Sequence, residues 1–110
     1  MCKSHVLHTS DHGSISLCSE CGKIQVCFGT TITVHSSKEF TQFSSMIADL
    51  LSERGNTENR RQKTIYVSTQ LSNLMLVFSV EELENLHDLL DQASAMLVIH
   101  GILQPKYCQN

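Results

Sequence analysis

The chain reads as an α+β protein in which an N-terminal zinc-ribbon-like hairpin is joined to a duplicated β-β-α unit, giving an antiparallel sheet with two helices on one face. Three observations predict this. Residues of metal-ligand type recur with the spacing C-x2-H-x12-C-x2-C from Cys2 to Cys21. Two capping-box patterns, Ser36-x-x-Glu39 and Ser79-x-x-Glu82, lie 43 residues apart, and each follows a pair of short β-branched runs. Beyond each cap, apolar residues fall at helical spacing and superimpose at that same offset.

Length and composition confine the chain to one domain, divided as a knuckle hairpin over residues 1–22, a first unit over 23–53, a loop over 54–62, a second unit over 63–103 and a tail over 104–110. Its 110 residues are 41% hydrophobic, enough for a single core, and only 17% charged. A net charge of −3 lacks the basic excess that phosphate binding needs, which argues against nucleic acid. No apolar run approaches the roughly 20 residues that span a bilayer, and the N-terminus lacks the layout of a signal peptide, so a cytoplasmic protein is expected. Five cysteines make an odd number for a disulfide scaffold; in a reducing compartment they favour metal or remain thiols.

Residues 5–9 and 14–18 read as two strands around Ser10-Asp11-His12-Gly13, whose Asp and Gly are hairpin residues. If Thr9 pairs with Ser14, regular pairing puts Leu7 opposite Ser16 and His5 opposite Cys18, and brings Cys2 to Cys21 at the open end. Cys2, His5, Cys18 and Cys21 are therefore the candidate ligands of one structural Zn2+. Thiolate and imidazole suit zinc, and the Gly after Cys21 permits the tight turn in which amides point at sulfur. His8 and His12 are the spare ligands, the first on the opposite strand face and the second at the far end of the hairpin. Cys27 reads as a strand packing residue and Cys108 as an incidental thiol, while His35, His87 and His100 stand alone.

Residues 23–26 and 32–34 read as the strands of the first unit, and 65–67 and 75–77 as those of the second. In the helices, Phe40, Phe43, Met46, Ile47 and Leu50 match Leu83, Leu86, Leu89, Leu90 and Ala93. Side by side, the two hairpins are expected to join in one sheet with the zinc hairpin. The polar link carries Arg54, Arg60, Arg61 and Lys63, expected to be solvated on an exposed loop. The run Ala95-Met96-Leu97-Val98-Ile99 is apolar on every side, so part of it is left over for a partner: a protein, with a second copy of the chain as the candidate through a homodimer of second helices.

Cys2/His5, His12-Gly13, Cys18/Cys21/Gly22, Phe28-Gly29 and Glu39-Phe40/Phe43 together resemble a family of short uncharacterised bacterial proteins, a domain of unknown function. The resemblance covers roughly the first half of the chain and implies a metal knuckle without implying a reaction. No nucleophile elbow or phosphate loop is recognisable. The expected function is that of a small zinc-stabilised, non-catalytic binding or adaptor protein. The alternative is a thiol redox protein using Cys18 and Cys21, against which stands the strand, rather than a helix, that follows the C-x-x-C.

Overall fold

The computed structural model describes residues 3–55, 59–69 and 71–102. Four strands come first: β1 (Ser4–Ser10), β2 (Gly13–Cys18), β3 (Ile24–Phe28) and β4 (Thr31–His35). Helix α1 (Ser37–Arg54) follows, then β5 (Ile65–Ser68), β6 (Met75–Phe78) and helix α2 (Val80–Ile99). The fold class is the α+β arrangement that the sequence predicts.

The first four strands form a continuous antiparallel meander in the order β1-β2-β3-β4. Its turns follow from local chemistry. Ser10 pairs with Gly13 across a two-residue loop, and a Cβ on Gly13 would lie 2.1 Å from the Cys27 carbonyl oxygen, so only glycine lets β3 approach β2 there. Phe28 pairs with Thr31 across Gly29-Thr30, and Gly29, at φ +59°, supplies the positive φ that a two-residue hairpin turn requires.

Both capping boxes form as predicted. The Ser36 hydroxyl accepts from the Glu39 amide at 3.1 Å and the Ser36 amide donates to Glu39 Oε1 at 2.7 Å; the corresponding distances for Ser79 and Glu82 are 3.1 and 2.9 Å. Helix α2 ends with Gly101 at φ +75°, where the Ile102 amide donates to the Leu97 carbonyl and the Gly101 amide to the Val98 carbonyl, closing a Schellman motif.

Alternation decides what is buried. Ile15, Leu17, Ile24 and Val26 point to one face of the sheet, where α2 covers β1 and β2, α1 lies beside β4, and the helices pack on each other. A single buried cluster takes residues from the N-terminal hairpin, both helices and the β5–β6 hairpin, so one core serves both units.

The predicted joining of the hairpins into one sheet is corrected at one point: β5 and β6 pair only with each other, as a separate two-stranded sheet. The aromatic rings of Phe28 and Phe78 meet at 6.0 Å between centroids and fill the space where the hairpins approach, so β5–β6 packs against the meander instead of pairing with it. Among the described residues no helix is long and apolar enough to cross a membrane.

Candidate metal centre

Strand β2 ends in Cys18, and the chain reverses through residues 19–21 before entering β3. Three hydrogen bonds hold the reversal. The Cys18 amide donates to the Lys23 carbonyl and the Gly22 amide to the Cys18 carbonyl, both at 2.9 Å, and the Cys21 amide points at Cys18 Sγ at 3.5 Å. Gly22 has φ +73°, a conformation that a side chain disfavours. Amide dipoles directed at sulfur stabilise a thiolate, which is the form that ligates metal. Cys18 and Cys21 with this glycine-ended turn are thus two donors of a type and backbone setting that could hold a metal. Cys18 is buried and Cys21 exposed, so the pair opens outward from the core.

The start of β1 is fastened beside this turn. The Lys3 carbonyl accepts from the Ser19 amide at 3.0 Å and from the Ser19 hydroxyl at 3.4 Å, so Lys3, next in the chain to Cys2, lies against the knuckle. Cys2 itself is outside the described residues.

His5 departs from the predicted register. Thr9 does pair with Ser14, but the ladder shifts by one residue between Val6 and His8, after which Val6 faces Ser16, His5 faces Leu17 and Ser4 faces Cys18. The cause is a β-bulge at Leu7, which places an extra residue on β1 so that Leu7 is buried while His8 still pairs with Ile15. Each side chain before the bulge thereby changes face. His5 takes the parity of Leu17, opposite to that of Cys18, and is exposed on the edge strand. No sequence pattern announces the bulge, because Leu7 is apolar in either register. Among the described residues, no three of His, Cys, Asp and Glu converge as a metal-binding group.

The remaining candidates are placed elsewhere. His8 is half-buried in β1, and His12 lies in the β1–β2 turn, where Asn85 Nδ2 approaches its Nδ1 at 3.5 Å. Cys27 is a half-buried thiol in β3, and Cys108 is outside the described residues. His87 is half-buried on α2, and His100 caps its end. His35 is the most structured histidine: its Nε2 lies 2.8 Å from Thr33 Oγ1 and its ring stacks on Phe43 at 5.1 Å. Burial lowers its pKa below the ordinary histidine value, and the nearby Glu39 carboxylate opposes the shift.

The basic link residues are exposed, as expected, and three of them also reach carboxylates at the start of α2. Arg60 pairs with Glu84, Arg61 with Glu81 at 3.5 Å and Lys63 with Glu82 at 2.9 Å, while Arg54 donates to the Thr64 carbonyl at 3.5 Å. Burial would raise the Glu82 pKa, but the hydrogen bond from Lys63, the bonds from Ser79 and the Lys63 charge together hold it below the ordinary carboxylate value. Lys63 and Glu82 stand at a groove of about 310 Å3 between β4 and β6, floored by Phe43 and Leu86 and walled by Thr33 and Leu76. Sequence reasoning missed this groove because it exists only where the two hairpins fail to pair.

No curated protein and no solved structure matches the chain. A family model described as "Family of unknown function (DUF6686)" matches residues 1–106, and the chain belongs to that family.

Proposed function

We propose that the chain is a small, zinc-stabilised, non-catalytic binding protein of the cytoplasm whose structural Zn2+ is held by Cys2, His5, Cys18 and Cys21. The observation that supports this most is the turn itself: a glycine-ended C-x-x-C whose Cys21 amide is aimed at Cys18 Sγ, with Lys3 tied to the same turn. A bound ion would link the start of β1 to the β2–β3 reversal. Four protein ligands leave no open position for substrate, which is why the reading is binding and not catalysis. The exposed imidazole of His5 must turn round the edge of the sheet to join the thiols, and among the described residues β1 is an edge strand.

Metal analysis of freshly purified, reduced protein tests the proposal. One zinc per chain is expected, lost in Cys21→Ser and weakened in His5→Ala. In Cys21→Ser the hairpin end should loosen while the helical circular dichroism signal stays, because α1 and α2 are held by the main core. A metal-free chain in which Cys18 and Cys21 reversibly form a disulfide would replace zinc binding with the thiol redox reading.

A further inference from the structure

We infer that a second copy of this chain packs against the outer face of the β1–β4 sheet, the face turned away from the helices. The helices cover only one side of the meander. On the other, Val6, Ser16, Gln25 and Val34 form one cross-strand row, and Cys27 and Ile32 belong to the next. Val6, Ile32 and Val34 are 65%, 58% and 59% exposed, an unusual position for three β-branched aliphatic side chains on one small sheet.

The distribution of charge identifies the occupant. None of the four strands contains an Asp, Glu, Lys or Arg, although the chain as a whole has 11 acidic and 8 basic residues. A symmetric contact brings each residue of a patch close to the same patch on the copy, so it must be complementary to itself. A neutral face meets that condition, and the small side chains of Ser16 and Cys27 leave Gln25 as the one long polar group in those rows for two sheets packed at about 10 Å to accommodate. The rival surface is the outer side of α2, where Ala95, Ile99 and Ile102 are exposed. Glu81, Glu82 and Glu84 of that helix are paired with Arg61, Lys63 and Arg60, but the helix itself has no Lys or Arg to face Asp88 and Asp91, so pairing two copies along it sets those carboxylates against each other.

Area limits the strength. Four strands about five residues long cover roughly 300 Å2 in plan, against about 800 Å2 per partner in a standard stable interface. The association is therefore weak and reversible.

Sedimentation velocity over a dilution series of the native chain tests this, with Val34→Glu and Ile99→Asp as variants and far-ultraviolet circular dichroism as the check on folding. The native chain should pass from one to two copies as concentration rises. Val34→Glu, which places two carboxylates in the contact, should weaken the dimer by at least about tenfold, and Ile99→Asp should leave it unchanged. In a second readout, alkylation of native Cys27, followed by peptide mass analysis, should slow as protein concentration rises. A chain that stays monomeric, with Cys27 equally reactive throughout, overturns the inference. So does a dimer that Ile99→Asp abolishes and Val34→Glu spares, which would return the contact to the second helices.

Discussion

The two strand–strand–helix units share a cap, a spacing and a hairpin, yet they do different work in the fold. In α1 only Phe40 and Ile47 are fully buried, whereas α2 buries Val80, Leu83, Leu86, Leu89, Leu90, Ala93 and Leu97. The matched positions Phe43, Met46 and Leu50 lie half-buried at the margin of the core. Helical spacing thus determines which side of each helix turns inward, and the number of elements that meet that side determines how deep it goes. Helix α2 lies between α1, the β1–β2 hairpin and β6, while α1 has its sister helix on one flank and the edge strand β4 on the other. A duplicated pattern has become a central helix and a peripheral one.

Truncating a matched pair should expose this difference most strongly. Leu89→Ala removes a side chain that is 1% exposed and should cost about 2–5 kcal/mol, the range for large-to-small changes in a packed core. Its counterpart Met46→Ala sits at the margin and should cost clearly less, because the gap it leaves is open to water. Urea midpoints of the two variants, read at equal slope, make the comparison, and equal losses would mean that α1 is as central as α2.

The caps should differ in the same direction by a smaller amount. Losing a Ser cap costs about 1 kcal/mol in general. Ser79 is 3% exposed and its partner Glu82 is also held by Lys63, so Ser79→Ala disturbs a buried hydroxyl and an ion pair together. Ser36→Ala removes a half-buried hydroxyl whose Glu39 has His35 for a neighbour. The larger midpoint shift is expected for Ser79→Ala, and the reverse order would separate cap strength from burial.

These contrasts show how much was legible beforehand. Alternation and cap chemistry are local, so the strands, both helix starts and the Cys18–Cys21 turn could be read from residues a few positions apart. Three features depended on contacts distant in sequence. The bulge at Leu7 arises because burying that side chain is worth more than regular pairing of a short edge, and it moves His5 off the face of Cys18. The separate β5–β6 sheet depends on where Phe28 and Phe78 meet, and the arginine pairing depends on acidic residues of α2 some twenty positions away. The run Ala95–Ile99 implies a surplus apolar side, but which residues form it depends on how the helix docks: Leu97 is buried, Val98 half-buried and Ile99 74% exposed.

The smallest expected effect is a division of the pH dependence between the units. His35 in the first unit has its pKa lowered in the fold, by burial first and against the pull of Glu39, so the unfolded chain takes up a proton more readily than the folded one. Its contribution is complete above the unfolded value of 6.5 and is lost as the pH falls from there through the lower folded value. Glu82 in the second unit also has a lowered pKa, because the bonds from Lys63 and Ser79 outweigh its desolvation. Its contribution is complete above 4.5 and is lost only as the pH falls further, through its own folded value. Midpoints of urea unfolding measured from neutral to acid pH should therefore decline in two steps. His35→Gln should flatten the first step and leave the second, and Lys63→Met should flatten the second and leave the first. If both steps respond to either variant, the two units titrate as one, and the central and peripheral helices are coupled more tightly than their unequal burial implies.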